Sequence, residues 1–168
     1  MTVGVKTDSS AVKVADEVWI ATALLHRENP ARQDFTVNEI VERAAKEAIQ
    51  GALRPGVRVH ALSHCVANRP PNPGRYRMLF ATGKVTRRLF RDGDPYDLAR
   101  EGAKVVPMRE EIPSEYRYLL DWYFSEFGER KSRDGKDDPL LALRGSGKDL
   151  WAHEHADEYV RRLREGWE

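Results

Sequence analysis

Residues 51–91 read GALRPGVRVHALSHCVANRPPNPGRYRMLFATGKVTRRLFR and contain nine arginines and lysines, with no aspartate or glutamate. The whole chain has a net charge of +1, so this stretch carries +9 against −8 in the remainder. Soluble surfaces usually mix both signs, and a long block of one sign is typical of a polyanion site. The stretch predicts nucleic acid as the leading partner. The competing interpretation is an ordinary surface with incidental polar residues.

Length and composition limit the remaining possibilities. The chain has 168 residues, 40% hydrophobic and 33% charged, which fits one domain with a core and polar appendages. It contains no apolar run near the ~20 residues of a membrane span, and its first ten residues lack the apolar region of a secretory signal. A single cysteine, Cys65, excludes an internal disulfide framework. We expect a cytoplasmic protein with no membrane partner.

Helical periodicity begins after a polar N-terminus, residues 1–10, that we expect to be disordered. Val14, Val18 and Leu25 recur at helical spacing, and the Asn-Pro pair at 29–30 ends this first helix. Residues 36–39, TVNE, form a capping box at the start of a second helix that stops near residue 51, with a hydrophobic residue on either side of the cap.

A third helix is predicted over residues 57–67, with Val59, Leu62 and Val66 as its buried side. After a proline-rich connector, two strand-like runs at 76–81 and 85–90 are joined by the short loop 82–84, which predicts a hairpin. Residues 92–109 bring acidic residues back and predict a loop with one helical turn at 96–100.

This order of elements over residues 11–92 resembles a winged helix-turn-helix domain. The resemblance implies an α+β, mainly α fold whose third helix enters the major groove of double-stranded DNA, while the hairpin touches backbone or minor groove. The segment at 50–56 is longer than a tight helix-turn-helix turn. Carried over by position, Arg58, Ser63, His64 and Asn68 would be recognition-helix contacts. The wing or phosphate contacts would be Arg75, Arg77, Lys84, Arg87 and Arg88. Arg54 and Arg69 belong to the same predicted DNA-binding set.

A helix added to this domain is predicted over residues 113–127, where aromatic and leucine side chains keep a regular helical spacing. We expect this stripe to pack on the first helix or on its copy in a dimer. A homodimer is therefore one arrangement that the resemblance allows, because winged-helix regulators often dimerise through added helices.

The C-terminal part separates into a linker and a tail. Residues 128–138 have no large apolar side chain and predict a flexible linker. Residues 139–168 predict a partner-binding tail that folds back or orders on a partner. Their DPLLALRGSGKDLW and YVRRLREGW pieces resemble the C-terminal arm of VapB-type antitoxins, which wraps a PIN-domain ribonuclease toxin. That resemblance implies the toxin-facing anchors Leu140, Leu143, Trp151, Tyr159, Leu163 and Trp167.

Enzymatic patterns are weak throughout the sequence. The GSGK at 145–148 lacks the first glycine, the final Ser/Thr and the preceding strand of a phosphate loop. His60 and His64 are four residues apart, but Ala61 stands where a metalloprotease has its glutamate. Cys65 fits a small buried hydrophobe. We expect no catalysis, metal or cofactor.

The sequence therefore favours a winged-helix transcriptional regulator that binds DNA and, in its most concrete form, serves as the antitoxin of a toxin–antitoxin pair. Two alternatives stay open. One is a non-catalytic module that docks its basic block on RNA or an acidic protein, and the other is an accessory subunit of a nuclease or repair system.

Overall fold

Three helical segments come first in the chain and a hairpin follows them. The computed structural model describes residues 11–71 and 73–128. Helix α1 (Val14–Glu28) leads through strand β1 (Phe35–Thr36) into α2 (Val37–Glu47). Helix α3 (Gly56–Val59) continues as a π-helical turn (His60–His64), and we call residues 56–64 the third helical segment. Strands β2 (Leu79–Ala81) and β3 (Thr86–Leu89) form the hairpin.

The rest of the described chain is helical or irregular. A 3₁₀ turn (Leu98–Arg100) lies inside the helical turn predicted at 96–100. The last helical segment, residues 114–127, consists of a 3₁₀ turn (Ser114–Tyr116), α4 (Tyr118–Trp122) and a π-helical turn (Tyr123–Phe127).

The sheet has three antiparallel strands in the order β1-β3-β2. The two-residue β1 places Phe35 opposite Arg87 of β3, and β2 places Leu79 opposite Leu89. The described residues thus form an α+β fold that is mainly helical, which confirms the predicted class at this level. Both strands of the hairpin are shorter than predicted, and β2 begins at Leu79 because the amides of Tyr76 and Arg77 donate to helix and loop carbonyls rather than to the sheet.

Helix α1 is the centre of the core. Its residues Val18, Trp19, Ile20 and Ala23 are at most 1% exposed, because α2, the third helical segment and the last helical segment all contact this helix. The Trp19 ring meets Tyr123 edge-on at 5.8 Å. The predicted aromatic stripe therefore packs on the first helix of the same chain.

Helix α2 begins with the predicted capping box. Glu39 N donates to Thr36 Oγ1 over 3.2 Å, and Thr36 N donates to Glu39 Oε2 over 2.8 Å. Phe35 and Ile40, on either side of the cap, are fully buried. The helix ends at Ala48, whose φ of 46° is in the left-handed region that favours glycine.

The third helical segment corrects two predictions. It ends at His64 rather than at residue 67, because Val66 N bonds Ser63 O in a last tight turn and Ala67 N leaves the helix to bond Leu79 O. Val59 is 46% exposed, so its predicted burial is wrong. Val57, Ala61 and Cys65, four residues apart, form the buried side instead.

Candidate nucleic-acid interface

The third helical segment and the loop of the hairpin lie side by side and form one surface. We call it the α3–hairpin face and define it by side chains that are at least partly exposed: Arg58, Val59, Leu62, Ser63, Arg69, Lys84 and Val85. The helical spacing of residues 58, 59, 62 and 63 turns these four away from the buried side at 57, 61 and 65. This face carries the centre of the basic block.

Arg87 joins the two parts of this surface from below. The side chain is fully buried, and its guanidinium donates only to backbone carbonyls. Nε bonds Ala61 O at 3.1 Å and Nη2 bonds Leu62 O at 3.2 Å, both in the third helical segment. Nη1 bonds carbonyls of the hairpin itself, including Thr86 O at 2.7 Å. Arg87 therefore holds the hairpin against the helix and does not present its charge at the surface.

Arg69 repeats part of this arrangement nearer the surface. Its guanidinium donates to Leu62 O at 3.3 Å and to Lys84 O at 3.2 Å, and Arg87 also bonds both carbonyls. Burial, followed by the charge of Arg69, lowers the pKa of Arg87 to about 10. Arg87 thus stays charged at neutral pH. Carbonyls satisfy its donors but cannot neutralise the charge, so both arginines add positive potential to the face.

Arg100 is a third arginine bound through carbonyls, and no local sequence pattern singles it out. It is fully buried and donates to Ser63 O and His64 O, each at 2.8 Å. Its other acceptors are carbonyls of the proline-rich connector and of the residues just after it, Arg69 O, Pro70 O, Gly74 O and Tyr76 O. Burial lowers the pKa of this guanidinium. Arg87 and Arg100 together bond four consecutive carbonyls, residues 61–64, at the end of the third helical segment.

Three predicted contact residues carry exposed positive charge near this surface. Arg58 lies on the third helical segment, Lys84 in the hairpin loop, and Arg75 in the connector beside the end of that segment. Within residues 11–71 and 73–128, none of the three side chains has a carboxylate partner. Their charges are available to an external polyanion.

Two other predicted contact residues are engaged in ion pairs. Arg54 pairs with Glu17 of α1 at 2.8 Å and also donates to Val12 O. Arg88 forms a bidentate pair with Asp94, with contacts of 2.6 and 2.8 Å. Both arginines are thus partly neutralised and fix the hairpin and α1 to neighbouring loops.

Arg77 and Asn68 are also bound within the fold. The guanidinium of Arg77 lies 4.1 Å from the centroid of the Tyr96 ring, away from the α3–hairpin face. Asn68 bonds both backbone groups of Ala81, which satisfies the edge of β2. Of the eleven predicted DNA contacts, some therefore lie together at one surface, and others form hydrogen bonds or ion pairs that stabilise the fold.

The polar residues of the third helical segment are arranged around its end. Ser63 Oγ donates to Val59 O at 3.3 Å. The His60 and His64 rings meet edge-on at 4.7 Å, and His60 Nδ1 lies 2.9 Å from Gly56 O. Burial lowers the pKa of His60, so its ring is neutral at pH 7. Among the residues that the structure describes, no three His, Cys, Asp or Glu side chains group as metal ligands.

A small cavity of about 180 Å³ opens within the α3–hairpin face. It lies where the N-terminus of α2 meets the third helical segment and the hairpin loop. Its wall is mainly aliphatic with a polar margin, and consists of Thr36, Val37, Asn38, Arg58, Leu62 and Val85.

A larger cavity of about 770 Å³ has the opposite character. It lies between the acidic loop after β3 and the last helical segment. Aromatic rings and carboxylates dominate its wall, which includes Phe90, Asp92, Tyr96, Glu101, Tyr123 and Phe124. Asp94 in this wall is already paired with Arg88, and Glu101 accepts from the Tyr96 hydroxyl. This acidic surface does not suit a polyanion.

Comparisons with protein-family models, with curated proteins and with solved structures find no match for this chain. In the part of the chain that the structure describes, no helix has the length and apolar character needed to cross a bilayer. The predicted linker from residue 129 onward and the six predicted tail anchors, Leu140 to Trp167, lie outside the described residues.

Proposed function

We propose that this chain binds double-stranded DNA through the α3–hairpin face, as a winged-helix protein. Helix, strand, helix, helix and hairpin follow one another, and hydrogen bonds from Arg87 and Arg69 hold the hairpin beside the third helical segment. This is the arrangement in which a helix and a hairpin loop contact one duplex together. Arg87 supports the proposal because it makes the two parts a single surface.

The observation that carries the proposal is the kind of partner each arginine has. Arg69 and Arg87 bond carbonyls, and Arg58, Arg75 and Lys84 are exposed, so among the described residues none of these five charges is paired with a carboxylate. Evenly mixed surfaces give little field, whereas five unpaired cations on, beneath and beside one face attract the phosphate backbone over a distance comparable to the Debye length.

Transcriptional regulation follows as the role of such binding at an operator. The antitoxin role depends on the tail resemblance and remains a prediction from the sequence. We prefer DNA over an acidic protein partner because the exposed charges are spread along a helix and a loop, as phosphate contacts are.

The test is equilibrium binding of the full chain to a duplex chosen from a random library, followed by fluorescence anisotropy over a range of salt concentrations. Arg58→Ala, Arg75→Ala and Lys84→Ala should each weaken binding. Each should also reduce the slope of log K against log salt by about 0.9, because one phosphate contact is lost.

Arg109→Ala is the matched control, since Arg109 is an exposed arginine that pairs with Asp121 on the last helical segment. It should leave both affinity and slope unchanged. If the three arginine and lysine variants behave like this control, or if no duplex is retained at low salt, the proposal is wrong.

A further inference from the structure

The α3–hairpin face contains aliphatic side chains that phosphate binding does not require. Val59 is 46% and Val85 53% exposed, and Leu62 between them is half-buried. Exposing aliphatic groups to water is unfavourable in free energy, and neighbouring cations do not remove that cost. Their position among Arg58, Arg69 and Lys84 indicates a ligand that is anionic and has small apolar groups.

The 180 Å³ cavity gives these side chains a defined shape. Leu62, Val85 and Val37 form the aliphatic part of its wall, and Arg58 also lines it. The cavity has room for a methyl group and the adjoining edge of a base. Arg58 remains free, within the described residues, to bond a phosphate or a base edge.

Duplex DNA offers one apolar group of this size in its grooves. The C5-methyl group of thymine projects into the major groove and is read by aliphatic contact, whereas uracil has a hydrogen at that position. Double-stranded RNA presents a deep, narrow major groove that side chains do not enter. The aliphatic cavity therefore matches thymine-containing DNA and not RNA.

We infer that the α3–hairpin face distinguishes 5-methylpyrimidines in duplex DNA by seating the methyl group between Leu62, Val85 and Val37. The inference rests on the proposed DNA binding and adds the chemical group that is recognised. Val59, one turn before Leu62 on the same side of the segment, extends the contact to a neighbouring base.

The experiment compares three alternating duplexes with the full chain at one salt concentration: dA·dT, the same duplex with deoxyuridine, and the same duplex with 5-bromodeoxyuridine. Burial of one methyl group should make dA·dT bind roughly fourfold tighter than the deoxyuridine duplex. Bromine has nearly the size of a methyl group, so 5-bromodeoxyuridine should restore the affinity.

Val85→Ser should remove the difference between the thymine and deoxyuridine duplexes while leaving the salt slope unchanged. Val85 is an exposed loop side chain, so this substitution should not disturb folding. Leu98→Ser, on an aliphatic side chain that is 83% exposed in the 3₁₀ turn, is the matched control and should keep the difference.

Equal binding of the thymine and deoxyuridine duplexes by the unmodified chain would overturn the methyl contact and leave the proposed DNA binding intact. Equal binding of an A·U RNA duplex would also overturn it. Failure to bind any of these duplexes at low salt would instead contradict the proposed function itself.

Discussion

Helix α2 and the third helical segment are neighbours in the chain, but they are held in different ways. The start of α2 is fixed by residues within four positions of one another, because Thr36 and Glu39 bond each other's backbone amides. The end of the third helical segment is fixed by Arg87 and Arg100, which lie 25 to 37 residues further along. One boundary is local and the other is tertiary.

The difference shows that the end of a helix can be specified by residues that are distant from it in the sequence. The last carbonyls of a helix have no partners within it and need donors from elsewhere. In the third helical segment two buried guanidiniums supply these donors, and the same arginines fix the hairpin and the connector against the segment. The shape of the α3–hairpin face therefore depends on residues that no ligand on that face would touch.

The largest loss of stability is expected from Arg100→Ala, which removes one of the two arginines that fix the end of the third helical segment. Six carbonyls lose the guanidinium donor, and among the described residues only Ser63 O and His64 O keep a backbone donor, so the free energy of unfolding should fall by about 3–5 kcal/mol, measured by urea denaturation. Arg100→Lys should be intermediate, since an ammonium has fewer donors and no planar fork. Arg75→Ala, at an exposed and unpaired arginine, should stay within about 0.5 kcal/mol of the unmodified chain. A comparable loss in both alanine variants would contradict the role of Arg100.

The second prediction concerns the pH dependence of stability, which should report on the contact between His26 and β3, the strand that carries Arg87. His26 of α1 accepts a hydrogen bond from Leu89 N at 3.3 Å, which requires the neutral imidazole. Burial, and then the charge of Arg91, lowers the pKa of His26 from 6.5 to about 3. Below pH 6.5 the unfolded chain takes up a proton that the folded chain does not, so stability should fall as the pH drops from 6.5 toward 3.

The slope due to His26 should approach about 1.4 kcal/mol per pH unit between pH 6 and 5. Urea denaturation of the unmodified chain and His26→Gln measures it as the difference between the two slopes. The contribution of the α2 cap to stability should change in a different pH range. The hydrogen bond from Arg32 lowers the pKa of Glu39 to about 2, so the contribution of this carboxylate persists above pH 4.5. Parallel curves for the two proteins between pH 6 and 5 would refute the assignment to His26.

A smaller effect is expected at the local boundary. Thr36→Ala removes the acceptor for Glu39 N and should lower the free energy of unfolding by about 1 kcal/mol. Thr36→Ser keeps the hydroxyl and should retain most of the stability. If alanine and serine are equivalent in urea denaturation, the capping box does not stabilise the start of α2.

The smallest effect should come from the other end of α2. Ala48 has a positive φ, which costs an alanine more than a glycine, so Ala48→Gly should raise the free energy of unfolding by about 0.5 kcal/mol. Ala45→Gly, at an exposed position inside the same helix, should lower it by about 1 kcal/mol. The two thermal melts should thus shift in opposite directions, and shifts of the same sign would exclude strain at Ala48.

Sequence reasoning was most successful where neighbouring residues settle the outcome. The capping box, the burial of Cys65 and the hairpin after the connector were all predicted, because each depends on a short pattern of side chains. It failed at Val59, whose exposure depends on which side of a short segment meets α1. It also grouped Arg87 with the surface charges, since an arginine in a basic run looks the same whether it faces solvent or carbonyls.

The sequence by itself determined that a helix starts at Thr36, that a hairpin follows a stiff connector and that one stretch of the chain concentrates positive charge. Only the tertiary structure decided which of those charges remain exposed. A buried guanidinium is stable where nearly all of its donors meet acceptors, and those acceptors come from segments that folding brings together. For Arg87 and Arg100 the acceptors are the last carbonyls of the third helical segment, which a linear pattern cannot identify.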